Sequence, residues 1–210
     1  LGRVLRMPLK DQNALLLAAG FSPEFTQRSS DDLGEVGEAI QFMLKAHEPN
    51  PAIVVDHLWN LVFANEAAIN LMLAIAPDSP LLDGQLNVMY SMFHPDGLGG
   101  RIENRAEVEP MLLWRLAEDV ERRPTDTGLL SVRDRVREFA TGSAATEPAN
   151  AGLIGTVRFA LPTGSVSFFS CLARLESAAD QTLDELRIET FFPADPDSVL
   201  AWQRFAQSFG

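Results

Sequence analysis

From Val157 to Pro193 the chain alternates with the two-residue period of extended backbone. On a strand from Ser165 to Leu175, the residues Val166, Phe168, Ser170 and Leu172 share one face, while Phe169, Cys171, Ala173 and Leu175 share the other. Neither face is plainly polar, which places such a strand in the middle of a sheet or over a cavity. A second strand, Leu186 to Pro193, carries the apolar stripe Leu186, Ile188 and Phe192, continued from Leu183, with Arg187 and Glu189 turned the opposite way. With a shorter strand ahead of them, these two predict the centre of an antiparallel sheet.

Upstream the period lengthens to that of helices. A helix from Asp31 or Asp32 to about Ala46 gathers Leu33, Val36, Ile40, Met43 and Leu44 on one face. Pro49 and Pro51 close it, and Ala52 to Asp56 and Trp59 to Ala64 read as a hairpin around His57 and Leu58. Asn65 caps a helix over Glu66 to Ile75, Pro77 to Leu86 is a loop, and Asn87 to Phe93 makes a helical turn. Asn104 with Glu107 has the form of a capping box for a helix to about Arg122, and a further helix spans Gly128 to Ala140. Thr141 to Gly152 is a polar loop of small residues. After the sheet, Asp195 caps and Pro196 opens a last helix with Val199, Trp202, Phe205 and Phe209 on one side. Residues 1 to 30 stand apart: they are locally basic, with a helix over Gln12 to Ala19 ended by Gly20 and a linker from Pro23 to Ser30.

Composition changes this picture in three ways. At 210 residues and 46% hydrophobic content the chain can bury one good core, so it is one main domain with an attachment. A formal charge of −12 argues against the whole chain being a nucleic-acid surface, which needs clustered cations. The single cysteine excludes a disulfide framework and a cysteine-rich metal site, and points to a reducing, cytoplasmic setting. No apolar run approaches the roughly 18 residues of a membrane helix, so no membrane partner is expected.

The order of elements predicts an α+β plan, a five-stranded antiparallel sheet with helices covering one face, as in PAS sensor domains. Particular residues sharpen it: Pro51 to Trp59 with Phe63-Ala-Asn65, then His94-Pro-Asp-Gly-Leu98, Asn104, Ser167-Phe-Phe-Ser170 and Glu185 to Asp195. This resembles the MmyB-like ligand-binding domain, the sensor half of bacterial transcription regulators with an XRE/Cro-type helix-turn-helix in front. The resemblance covers residues 31 to 210, and Met7 to Gly20 resembles the end of the DNA-binding domain. It implies that residues 1 to 30 are the remnant of a helix-turn-helix domain plus linker. It also implies a PAS-like sensor over 31 to 210 for a small, lipid-like molecule, with DNA bound through a helix-turn-helix absent from this chain.

The chemistry-bearing residues point away from catalysis. His47 and His57 sit at a helix end and in a turn, His94 belongs to a loop-forming His-Pro-Asp-Gly, and no nucleophile motif or metal-ligand spacing accompanies them. Cys171 is expected to pack. One charge stands out: Arg115 falls inside the apolar stripe of Val108, Met111 and Leu112. It either pairs with Asp119 four residues on, or meets the acidic end of a ligand. Trp59, Phe63, Met89, Phe93, Phe168 and Phe192, with Met111, Leu112, Arg115 and Ser170, are the candidate lining of an adaptable apolar cavity. The expected function is a ligand sensor without an enzymatic cofactor, holding a fatty acid or similar lipid and acting as a homodimer. The competing reading is a pure dimerisation or interaction module with a solid core, using the apolar face of the last helix.

Overall fold

The computed structural model describes residue 7 and residues 9–24, 33–142, 155–174 and 185–209. Most of the expected 23–30 linker and 141–152 loop, the helix start at Asp31 or Asp32, and Leu175 and Leu183 lie outside these residues. Five strands form one open antiparallel sheet: β1 (Ala52–Val55), β2 (Leu61–Ala64), β3 (Thr156–Leu161), β4 (Gly164–Arg174) and β5 (Arg187–Pro193). Their spatial order is β2-β1-β5-β4-β3, so the last strand in sequence is the central one. Register places Ile53 opposite Glu189, Val55 opposite Arg187, and Ser170 opposite Phe191. These residues therefore share one face with Phe168, Val157 and Phe159.

The expected helical layer covers that face. It consists of α3 (Glu66–Ile75), α4 (Val88–Phe93) and α5 (Arg105–Arg122), with α6 (Thr127–Arg137) packed behind on α4 and α5. Of the helices before the sheet, α1 (Leu9–Ala18) leaves Leu15 and Leu17 exposed, while α2 (Gly34–Ala46) adds cover to the opposite face. There Leu33, Ile40 and Leu44 meet Ala52, Val54, Leu186 and Ile188, the alternate residues of β1 and β5. The closing helix α7 (Pro196–Ala206) packs on β4 and β5. Its Trp202 stands edge-on to Phe168 at 5.2 Å and donates to the Pro49 carbonyl, and Phe205 is equally buried. Two of the four residues expected to form an interaction face are thus consumed within the chain, leaving Val199 and Phe209 exposed. Cys171, expected to pack, is exposed: it lies on the same face of the sheet as Ile188 and α2, on the neighbouring strand β4.

Side-chain caps set most boundaries. Asn65 caps α3 through Ala68 N–H, accepts from Ala52 N–H at 2.9 Å, and donates to the Leu44 and Asn50 carbonyls, so one buried amide joins α2, β1 and α3. Asn87, Asp126 and Asp195 cap α4, α6 and α7. The expected capping box at α5 is diverted. Asn104 keeps its bond to Glu107, yet its amide bridges the Arg158 N–H and Thr156 carbonyl of β3. As an edge strand β3 offers unpaired backbone groups that compete for this side chain. Glycine is required at 97 and 99, where any side chain would collide with the Ser91 and Met92 carbonyls as the loop folds back on α4.

A buried polar knot closes the helical layer. Glu109 of α5 accepts from the Arg105 guanidinium and from the N–H and hydroxyl of Thr141, while Arg105 also donates to the Phe93 and Phe139 carbonyls. Burial pushes the Glu109 carboxyl up, but the bonds from Thr141 and Arg105 outweigh it and hold the carboxyl below its ordinary value of 4.5. A depressed carboxyl stabilises the fold above its unfolded-state pKa and loses that contribution as pH falls through the folded value. Glu109→Gln is therefore expected to cost about 1–3 kcal/mol at pH 7. Urea melts should show the gap to the unaltered protein narrowing as pH drops below 4.5; a gap independent of pH would contradict this account.

Candidate functional site

Between the sheet and α3, α4 and α5 lies a cavity whose walls are almost wholly apolar. The space between its lining atoms amounts to ≈ 800 Å³, the mouth included, and ≈ 80 Å³ of it admits the centre of a water molecule. From the sheet come Ile53, Val157, Phe159, Phe168 and Phe191, and from the helices Leu71, Met72, Ile75, Met89, Met92, Met111 and Leu112. Pleat and helix periodicity explain the set: β4 presents every second residue, and α5 presents Met111, Leu112 and Arg115 at three- and four-residue spacing. A wider groove on the opposite face, between α2 and β2, is lined by polar and apolar groups in similar measure.

Of the residues expected from the sequence, Trp59, Met89, Met111, Leu112, Arg115, Phe168 and Ser170 line the cavity. Phe93 does not reach its wall, being fully enclosed in the core beside it. Phe63 and Phe192 are on the other side of the sheet. Phe63 pairs with Val54, whose side chain faces α2, and Phe192 stacks on Phe169 at 5.1 Å with the His47 ring edge-on at 4.9 Å. The sequence reading missed α3 as a wall, because its apolar residues run all round the helix and Ile69 and Leu73 stay exposed.

The polar end differs more from expectation. Arg115 does not pair with Asp119. Its Nη1 lies 3.1 Å from Glu189 Oε1 of β5, which also accepts from Ser170 Oγ at 2.6 Å. Asp119 instead receives Arg187 Nη1 at 2.6 Å and the Trp59 indole N–H at 3.0 Å. Arg187 is buried, stacks over the Trp59 ring at 4.3 Å, and donates to the His57 carbonyl. Trp59 itself has φ +67°, a left-handed conformation unfavourable for a bulky residue. The turn around it is fastened by Asp56, which accepts from the Leu58 and Asn60 N–H groups, so the surroundings impose the conformation.

Outside the cavity the charges continue through Arg122, Arg123 and Arg174. Burial, together with the neighbouring Arg122 and Arg187 guanidiniums, lowers the Arg174 pKa. His57, in the turn between β1 and β2, sits with Nε2 3.3 Å from Asp126 and Nδ1 3.2 Å from Glu185. Among the described residues no group of three histidine, cysteine or acidic side chains is placed to hold a metal ion. No helix among them is long and apolar enough to cross a membrane.

Removing one partner of a buried pair leaves an uncompensated charge. Asp119→Ala should therefore cost about 3 kcal/mol or more in denaturant unfolding. Asp119→Leu combined with Arg187→Met should recover most of the loss. A double variant as unstable as the sum of its parts would show that the two residues do not act as a pair.

Searched against curated proteins, the chain finds no match. The family model described as MmyB-like transcription regulator ligand binding domain matches residues 36–204. That span runs from the first turn of α2 to the last turn of α7 and takes in the whole sheet and every wall of the cavity, and the chain belongs to this family of regulator ligand-binding domains.

Proposed function

We propose that the domain senses a small apolar molecule of fatty-acyl type and that occupancy modulates DNA binding by a bacterial, cytoplasmic regulator of the XRE helix-turn-helix class. In this reading residues 1–30 are the end of the DNA-binding domain and its linker, and residues 31–210 are the sensor. The observation that carries it is the cavity: apolar walls rich in methionine and phenylalanine, with charge confined to one end. Methionines suit a wall that adjusts to a flexible chain. Burying ten methylenes at about 0.8 kcal/mol each gives a gross gain near 8 kcal/mol, reduced by the ordering of the chain. Micromolar affinity follows without any special polar contact. Nothing in this economy calls for catalysis or a cofactor.

Native mass spectrometry of the purified protein, followed by organic extraction, is the direct test, and a bound lipid-like species is expected. Phe168→Trp should abolish its recovery by filling the cavity, at a stability cost of about 1–3 kcal/mol. Undiminished lipid in that variant would move the binding site elsewhere. A homodimer is proposed from the two-fold logic of DNA readers, whose paired subunits match paired half-sites. Light scattering on the regulator with its DNA-binding part should give a mass above one chain, and a strict monomer would contradict it.

A further inference from the structure

We propose that the ligand's head group is uncharged and carries both a hydrogen-bond donor and an acceptor, as in a fatty-acyl amide, and that Glu189 is the residue that disfavours a free carboxylate. The inference rests on the cavity reading above. Among the described residues Arg115 is the sole cationic side chain in the lining, and a lone arginine there would favour an acid. It is not alone. Glu189, nearly enclosed with its side chain 8% exposed, neutralises it, so the polar end is an ion pair of zero net charge. A ligand carboxylate would add an uncompensated negative charge beside Glu189, in surroundings that screen it poorly.

A neutral head faces no such opposition. Glu189 Oε1 is taken by Arg115 and Ser170, while Oε2 has no hydrogen-bond partner among the described residues. On Arg115 only Nη1 is engaged among them, leaving Nε and Nη2 as donors. An amide matches this pair of open positions, its N–H donating to Glu189 Oε2 and its carbonyl accepting from Arg115. Ser170 holds Glu189 in place from the neighbouring strand and donates its proton there, so it is a positioning residue.

The test is calorimetric titration of the folded protein, stripped of lipid, with dodecanamide, dodecanoic acid and methyl dodecanoate at pH 7.5. The amide is expected to bind about ten-fold or more tightly than the acid, with the ester between them because it lacks a donor for Glu189. Glu189→Gln, its fold checked by circular dichroism, should erase most of this preference by raising affinity for the acid about ten-fold. The ranking in the unaltered protein needs no variant and decides the matter should Glu189→Gln not fold. An acid that binds as tightly as the amide overturns the head-group proposal and leaves the cavity reading standing, whereas no binding by all three compounds overturns both.

Discussion

Two opposite charges two residues apart on the central strand organise this domain. Arg187 and Glu189 both point from β5 toward the helices and both are buried, a position neither can hold without a counter-charge. The counter-charges come from one helix, where Asp119 and Arg115 stand four residues apart on α5. Two residues along a strand advance about 6.7 Å and four along a helix about 6 Å, so both pairs form together in a single register of α5 on the sheet. Sliding the helix by one turn would bring like charges face to face. The crossed pairs thereby fix how α5 lies, and with it the positions of Met111 and Leu112 over the cavity.

The same constraint explains why a cavity exists at all. Apolar side chains close-pack wherever they can approach one another, but the end of this space is held by an ion pair that they cannot cover without stripping it of its bonds. Trp59 joins the two regions. Its ring is part of the cavity wall, its indole N–H reaches Asp119, and Arg187 lies across its face. Through Trp59 the cavity wall adjoins the charged network that runs on to Arg122, Arg123 and Arg174.

Much of this was legible in the chain itself because local rules governed it. Asn65 and Asp195 act as caps where their residue type and position announce it, α3 spans the residues that its pattern marks, and β4 is apolar on both faces because it lies inside the sheet. What escaped was set by contacts distant in sequence. The apolar stripe Leu186, Ile188, Phe192 looks like the core-facing side of β5, yet α2 and the strand's own neighbours take it. The charged side turns inward because α5 supplies partners 68 and 74 residues away. Local spacing pairs Arg115 with Asp119, and it lost to two long-range pairs that satisfy the buried Arg187 and Glu189 as well as the partly buried Arg115 and Asp119. Phe63 and Phe192 were misplaced for the same reason, since alternation tells which residues share a face but not which face encloses the cavity. A signal was nonetheless present, for two charges side by side in the middle of a sheet have no solvent to turn to and call for partners.

The division of labour in the site follows from these placements. Methionines at positions 72, 89, 92 and 111 make up much of the helical wall, and unbranched thioether chains re-pack at little cost. Phe159, Phe168 and Phe191 stand on paired strands and cannot move so freely. The helical side can then accommodate differences in chain length or branching, whereas the end formed by Arg115, Glu189 and Ser170 is fixed by bonds to two strands and a helix. For an apolar chain bound as proposed, affinity would come from area, and discrimination would fall to a few rigid polar atoms, where a wrong partner leaves a buried group unmet. Under the function proposed above, a sensor built this way would ignore modest variation in the tail of its ligand and respond to the chemistry of the head.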